Sequence, residues 1–117
     1  VFVVKRLHEK LVSTDISQGI YPAANSGFGA LMLAISLGCK EIYLLGFDAC
    51  VGNHIHWHEG YFGQTINNMH KKLESNVPIF VQFAPLIREK GVRVFNCNQK
   101  SAIRCFEYCS LEEALKK

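Results

Sequence analysis

Between Asn25 and Phe47 the chain passes from a polar turn into an apolar run, a short charged break and a second apolar run. Phe28, Leu31, Met32, Ile35 and Leu37 stand at helical spacing, with Ala30, Leu33 and Ala34 between them. That pattern predicts a helix buried on nearly all sides. Asn25 or Ser26 suits its N-cap, and Gly38 suits the residue just past its end. Glu41 to Phe47 has too few polar alternations for a half-exposed strand. It therefore predicts a central strand of a parallel sheet.

The remaining pattern is read in the same way. Val1 to Val4 is a short apolar run that predicts a buried strand, and Lys5 to Gln18 a polar loop with at most one helical turn. Gln64 to Ser75 predicts an amphipathic helix. Pro78 to Lys90 predicts another, with Ile79, Phe80, Phe83, Leu86 and Ile87 on one face, bent at Pro85 and stopped at Gly91. Val92 to Asn96 predicts a second parallel strand and Asn98 to Lys100 a turn. Ser110-Leu111-Glu112-Glu113 has the spacing of a capping box that opens a terminal helix. Strands alternating with helices predict one α/β domain over 1–117, a three-layer sandwich around a mostly parallel sheet. In such folds ligands gather at the carboxyl ends of the strands.

Composition narrows the class. The chain has 117 residues, 49% hydrophobic and 20% charged, which predicts a globular domain rather than a disordered one. No apolar run approaches the ~20 residues that span a bilayer. The first residue is Val, and no charged segment followed by an apolar one comes after it, so the start reads as a cut or processed end rather than a signal peptide. The net charge of +3 comes from scattered basic residues without interleaved aromatics, which argues against nucleic-acid binding. Five cysteines, an odd number with no Cys-x-x-Cys, fit a reduced cytoplasmic chain. Cys39 and Cys97 lie in apolar segments and read as small buried hydrophobes. Cys105 and Cys109 would stand one turn apart if that segment were helical.

Three groups of residues carry candidate chemistry. Asn25-Ser26-Gly27-Phe28-Gly29 opens a helix, where unbonded N–H groups and the helix dipole favour a phosphate and glycine lets it approach the backbone. Gly46-Phe47-Asp48 ends a strand with a carboxylate suited to ribose hydroxyls, and Asn96 and Asn98 end the next one. Alternatively, these residues cap and turn the chain. His54, His56 and His58 share one side of an extended segment around Trp57. One of them suits a general base; all three together suit zinc, though no Asp or Cys cluster completes such a set.

From Asn25-Ser26-Gly27 through Gly46-Phe47-Asp48 the sequence resembles the bacterial sialyltransferases that use CMP-sialic acid on lipooligosaccharide. The shared features are the Ser-Gly helix start, the long apolar helix, the Glu-Ile-Tyr-Leu strand and the Gly-x-Asp end. It resembles more closely a set of uncharacterised bacterial and prophage proteins with the same core. These also carry a His-Trp-His loop, a Gly-Val-x-Val-x-Asn-Cys strand and a terminal Ser-Leu-Glu-Glu helix. Here those are His56-Trp57-His58, Gly91 to Cys97 and Ser110 to Glu113, so the likeness covers about residues 19–115.

The resemblance implies a Rossmann-like fold, a CMP-linked nucleotide sugar as substrate, no metal cofactor and a histidine base. Ser26 and Gly27 match the nucleotide-contacting turn, and Gly46 and Asp48 the strand-end motif. The loop after Asp48 differs from the family's, so His56 and His58 are candidates for the base by position only. The family's first βα unit and its phosphate-facing tyrosines are not matched. The chain therefore reads as the C-terminal part of a longer protein or as a reduced relative. The expectation is a sialyltransferase-like, nucleotide-sugar-dependent glycosyltransferase domain. Its alternatives are a non-catalytic binding or assembly protein of prophage type, forming a homo-oligomer, and a metal-dependent hydrolase built on His54, His56 and His58.

Overall fold

The computed structural model describes residues 3–47 and 77–116. Its elements run as a 3-10 turn at Ile16–Gln18, helix α1 at Ser26–Ser36, strand β1 at Glu41–Leu44, helix α2 at Val77–Glu89, strand β2 at Arg93–Asn96, strand β3 at Glu107–Tyr108 and helix α3 at Leu111–Leu115. The sheet is parallel throughout, in the order β1-β2-β3. Glu41 pairs with Arg93 and Leu44 with Asn96, while Phe95 pairs with Glu107 and Asn96 with Tyr108. The class is α/β.

Local chemistry sets the ends of both long helices. The Asn25 side chain accepts the Phe28 amide at 2.9 Å and so caps α1. Past its other end, Gly38 adopts φ 98° while its amide donates to the Ile35 carbonyl, and the Cys39 amide reaches back to Ala34. The same paired bonds close α2, where Gly91 has φ 75°, its amide donates to Arg88, and the Val92 amide reaches Ile87. Both are Schellman closures, which need a left-handed residue and hence favour glycine. Pro85 lies inside α2, on its exposed side. There the carbonyl it leaves without a helical partner can bond water.

The core joins both helices to one face of the sheet. Phe28, Leu31, Met32 and Ile35 of α1 meet Phe80, Phe83 and Ile87 of α2, together with Leu44 and Val94. Phe28 is completely buried, and its ring meets Phe80 and Phe83 edge-on at centroid distances of 5.5 and 5.0 Å. Edge-to-face packing suits the ring quadrupoles, and truncating such a residue costs about 3–5 kcal/mol. The other face of the sheet carries Tyr43 stacked on Phe95, with the Arg93 guanidinium 4.8 Å from the Phe95 ring centre.

Several expectations are corrected. Residues 3 and 4 form no strand, and Val3 is 79% exposed. β1 stops at Leu44, because Leu45 faces solvent and Gly46 turns the chain at φ 75°. Among the described residues β1 is an edge strand and β2 the central one. Leu37, past the end of α1, is exposed rather than buried. Cys39 is exposed as well, since the Schellman turn carries it out of the apolar run. Cys105 and Cys109 flank β3 instead of sharing a helix. The expected helix at Gln64–Ser75 lies outside the described residues. Among those residues no helix is long and apolar enough to cross a membrane.

Candidate functional site at the carboxyl edge of the sheet

Three separate stretches of chain meet where β1 and β2 end. The first is the start of α1. A side-chain carbon placed on Gly27 would lie 3.1 Å from Cε2 of Phe47 and 3.2 Å from Oδ1 of Asn25. The helix start therefore packs on the segment that leaves β1, one residue before Asp48. The amides of Ser26 and Gly27 belong to the first turn and have no acceptor within the helix. Ser26 is exposed. An anion at that turn would meet N–H groups and the positive end of the helix dipole.

The second stretch is the end of β1 itself. Among the described residues nothing lies within 4 Å of where a side chain on Gly46 would start. The Phe47 ring meets Phe80 edge-on at 6.1 Å, which fixes the corner to α2.

The third is the loop that follows β2. Ser101 is buried, and its hydroxyl donates to the Phe47 carbonyl while accepting the Ile103 amide at 3.0 Å. Asn96 is only 2% exposed. Its Nδ2 donates to the Ile103 carbonyl at 3.0 Å and its Oδ1 accepts the Asn98 amide at 3.0 Å. Both ends of its amide are thus engaged in shaping the rim. Asn98 accepts the Lys100 amide at 2.9 Å, which closes the turn expected there.

Two features of the rim carried no sequence signal. Ala23 holds φ 52° just before α1. A left-handed alanine is strained, and such residues collect at functional sites. Arg6 donates from Nη2 to the carbonyl of that alanine at 3.3 Å, bringing a guanidinium to the approach of α1. Only the bond across the turn, between residues far apart in sequence, identifies Arg6.

Of the sequence-predicted residues, Asn25, Ser26, Gly27 and Gly46 come together at this corner, with Asn96 at the end of β2 and Asn98 on the adjoining loop. Asp48, His56 and His58 lie outside the described residues, as does His54. Among the described residues no three His, Cys, Asp or Glu side chains are grouped to hold a metal. Another hollow, about 950 Å³, lies along residues 5–18, where Lys5, Arg6, His8 and Lys90 face Glu9 and Asp15. Its walls are mostly irregular exposed chain with charges of both signs, so the rim is the better-built candidate. Asp15 itself is exposed, and hydrogen bonds from the Ser17 hydroxyl and amide lower its pKa.

Comparison with protein-family models, with curated proteins and with solved structures finds no match to this chain.

Proposed function

We propose that this chain is a Rossmann-like nucleotide-binding domain of the sialyltransferase type, acting on a nucleotide sugar. The observation that carries this reading is the packing of Gly27 on Phe47. It brings an open helix N-terminus beside the strand end that leads into Asp48. A helix dipole for phosphate next to a carboxylate for ribose is the arrangement that open α/β sheets use for nucleotides. Arg6, anchored on the turn before α1, adds positive charge on the same side.

In this reading Ser26 and Gly27 hold phosphate through their amides, Asp48 accepts ribose hydroxyls, and Gly46 and Asn98 shape the adjoining rim. His56 or His58 takes the proton from an acceptor hydroxyl as that oxygen attacks the sugar carbon. The bond to the nucleotide phosphate breaks, and the nucleotide leaves with the electron pair. The donor is CMP-linked and the place of action is the cytoplasm. A third, outer layer of the sandwich covers the Tyr43 and Phe95 face of the sheet.

A thermal-shift titration with CMP, UMP, CDP and UDP, each with and without EDTA, tests the proposal. Ligand bound only to the native state raises the melting temperature by mass action. The expected result is a CMP-selective shift that survives EDTA and is lost in Asp48→Ala. No shift with any nucleotide would overturn the reading.

A second reading, a non-catalytic assembly protein, is favoured by one observation. Tyr108 on β3, an edge strand among the described residues, and Leu111 and Leu115 on α3 are all exposed. Apolar side chains gathered near a sheet edge mark contact surfaces. Sedimentation of the full chain as a stable oligomer without nucleotide affinity would select this reading.

A further inference from the structure

The parallel register of β2 and β3 brings two thiols side by side. Asn96 pairs with Tyr108, and the next residues along are Cys97 and Cys109. Both positions are pinned by main-chain bonds: the Cys97 amide donates to Leu44 at 3.0 Å and the Cys109 amide to Asn96 at 3.2 Å. Neighbouring strands lie about 4.8 Å apart, and residues in register project to the same face. A disulfide needs a Cα separation of roughly 4.4–6.8 Å. Both residues are in the thiol form, Cys97 half-buried and Cys109 buried.

We propose that Cys97 and Cys109 are a redox pair that closes to an intramolecular disulfide in the presence of a small-molecule disulfide such as oxidised glutathione. Cys97 is the more accessible of the two and reacts first. Its thiolate attacks one glutathione sulfur, the S–S bond breaks, and one glutathione leaves as thiolate. Cys109 then loses its proton and attacks the Cys97 sulfur, expelling the second glutathione. Two protein thiols are oxidised and one glutathione disulfide is reduced to two thiols.

Cys109 is placed for the second step. Its Sγ points toward the Ser110 carbonyl, at 3.5 Å, and the Glu113 carboxylate, at 3.8 Å. Glu113 is thus at hand to accept the proton, and in the second step the sulfur leaves these partners for Cys97. Cys105 is not a competitor, because four residues of chain carry it on the order of 10 Å away, toward the other end of β3. There it lines a cleft with Ala84, Ile87 and Arg88.

The bridge would span the loop that holds Asn98 and Ser101, and so would clamp one wall of the candidate rim. This inference rests on the strand register alone and stands whether or not nucleotide binds.

The test is to incubate the full native chain with oxidised glutathione, block remaining thiols with N-ethylmaleimide, digest with trypsin and map bridges by fragmentation. The expected product is a link between peptide 94–100 and peptide 105–116 through Cys109, with the loss of two hydrogens. It should persist in Cys105→Ser and disappear in both Cys97→Ser and Cys109→Ser. Because Cys109→Ser alters a buried position, Cys97→Ser serves as the independent variant. Hydrogen exchange over residues 98–108 should slow on oxidation and recover with dithiothreitol. A glutathione adduct that stays on Cys97, a link through Cys105, or a bridge that forms only in urea would each overturn the proposal.

Discussion

The hydroxyl of Ser101 donates to the carbonyl of Phe47, 54 residues earlier in the chain. One buried side chain thereby ties the loop after β2 to the end of β1. The same oxygen accepts the Ile103 amide, so its removal leaves two backbone groups without this partner. Ser101→Ala should cost about 1–3 kcal/mol. Urea denaturation monitored by tryptophan fluorescence or circular dichroism would measure it. A midpoint unchanged from that of the parent chain would mean that the bond contributes nothing to stability.

Gly27 separates binding from folding. Its φ is ordinary, so alanine is allowed there, and the new carbon would need Phe47 to yield by a few tenths of an ångström. Stability should change by no more than about 1 kcal/mol, since alanine favours the helix while the contact opposes it. On the proposed reading nucleotide binding, by contrast, should weaken at least tenfold, or about 1.4 kcal/mol, because the carbon pushes on Phe47 and on the Asn25 cap and so disturbs the proposed phosphate turn. Calorimetric titration of Gly27→Ala with CMP reads both effects on one sample. Parent-like affinity in a folded variant would remove the helix start from the site.

Asn25→Ala tests the cap alone. Loss of the bond to the Phe28 amide should destabilise the chain by about 1 kcal/mol. Asn25→Asp should keep the cap and, by placing a negative charge beside the proposed phosphate turn, weaken the proposed nucleotide binding. Melting curves and CMP titrations of the pair distinguish the two roles.

How much of this was legible in the sequence depends on how local each signal is. α1, α2 and β2 follow from periodicity; Asn25, Gly38 and Gly91 punctuate them, and Ser110 opens α3, by chemistry that acts within a few residues. β3 is two residues long, too short for any period to register. Val3 and Leu45 mislead because an apolar side chain does not itself require burial. Ser101 and Arg6 could not be found, since each acts on a partner brought close only by folding. Asn96 was legible as a strand-end residue but not in its role, because its partner Ile103 sits in an irregular loop.

Cys105 offers a prediction in pH. Burial raises its thiol pKa above the ordinary value of 9.0, outweighing the opposing effects of a backbone hydrogen bond and Arg88. Less thiolate is therefore present at neutral pH than for an ordinary thiol. Iodoacetamide should modify the exposed Cys39 well before Cys105 at neutral pH, and Cys105 should label faster as pH climbs through its raised pKa. The sign for stability is also fixed. A raised native pKa favours the protonated fold, so this contribution is complete below the unfolded thiol's pKa and is lost as pH climbs through the native one. Equal labelling rates at neutral pH would contradict the burial that sets the shift.

The two glycine closures, at Gly38 and Gly91, have a consequence for how such a chain can vary. Each helix passes into the following strand through only residues 37–40 or 90–92, in a turn whose bonds fix both length and direction. At that edge of the sheet an inserted or deleted residue breaks a closure. At the opposite edge the loop after β2, residues 97–106, contains no glycine closure of this kind. Variation in length therefore falls on that loop rather than on the closures, which hold the strands in register.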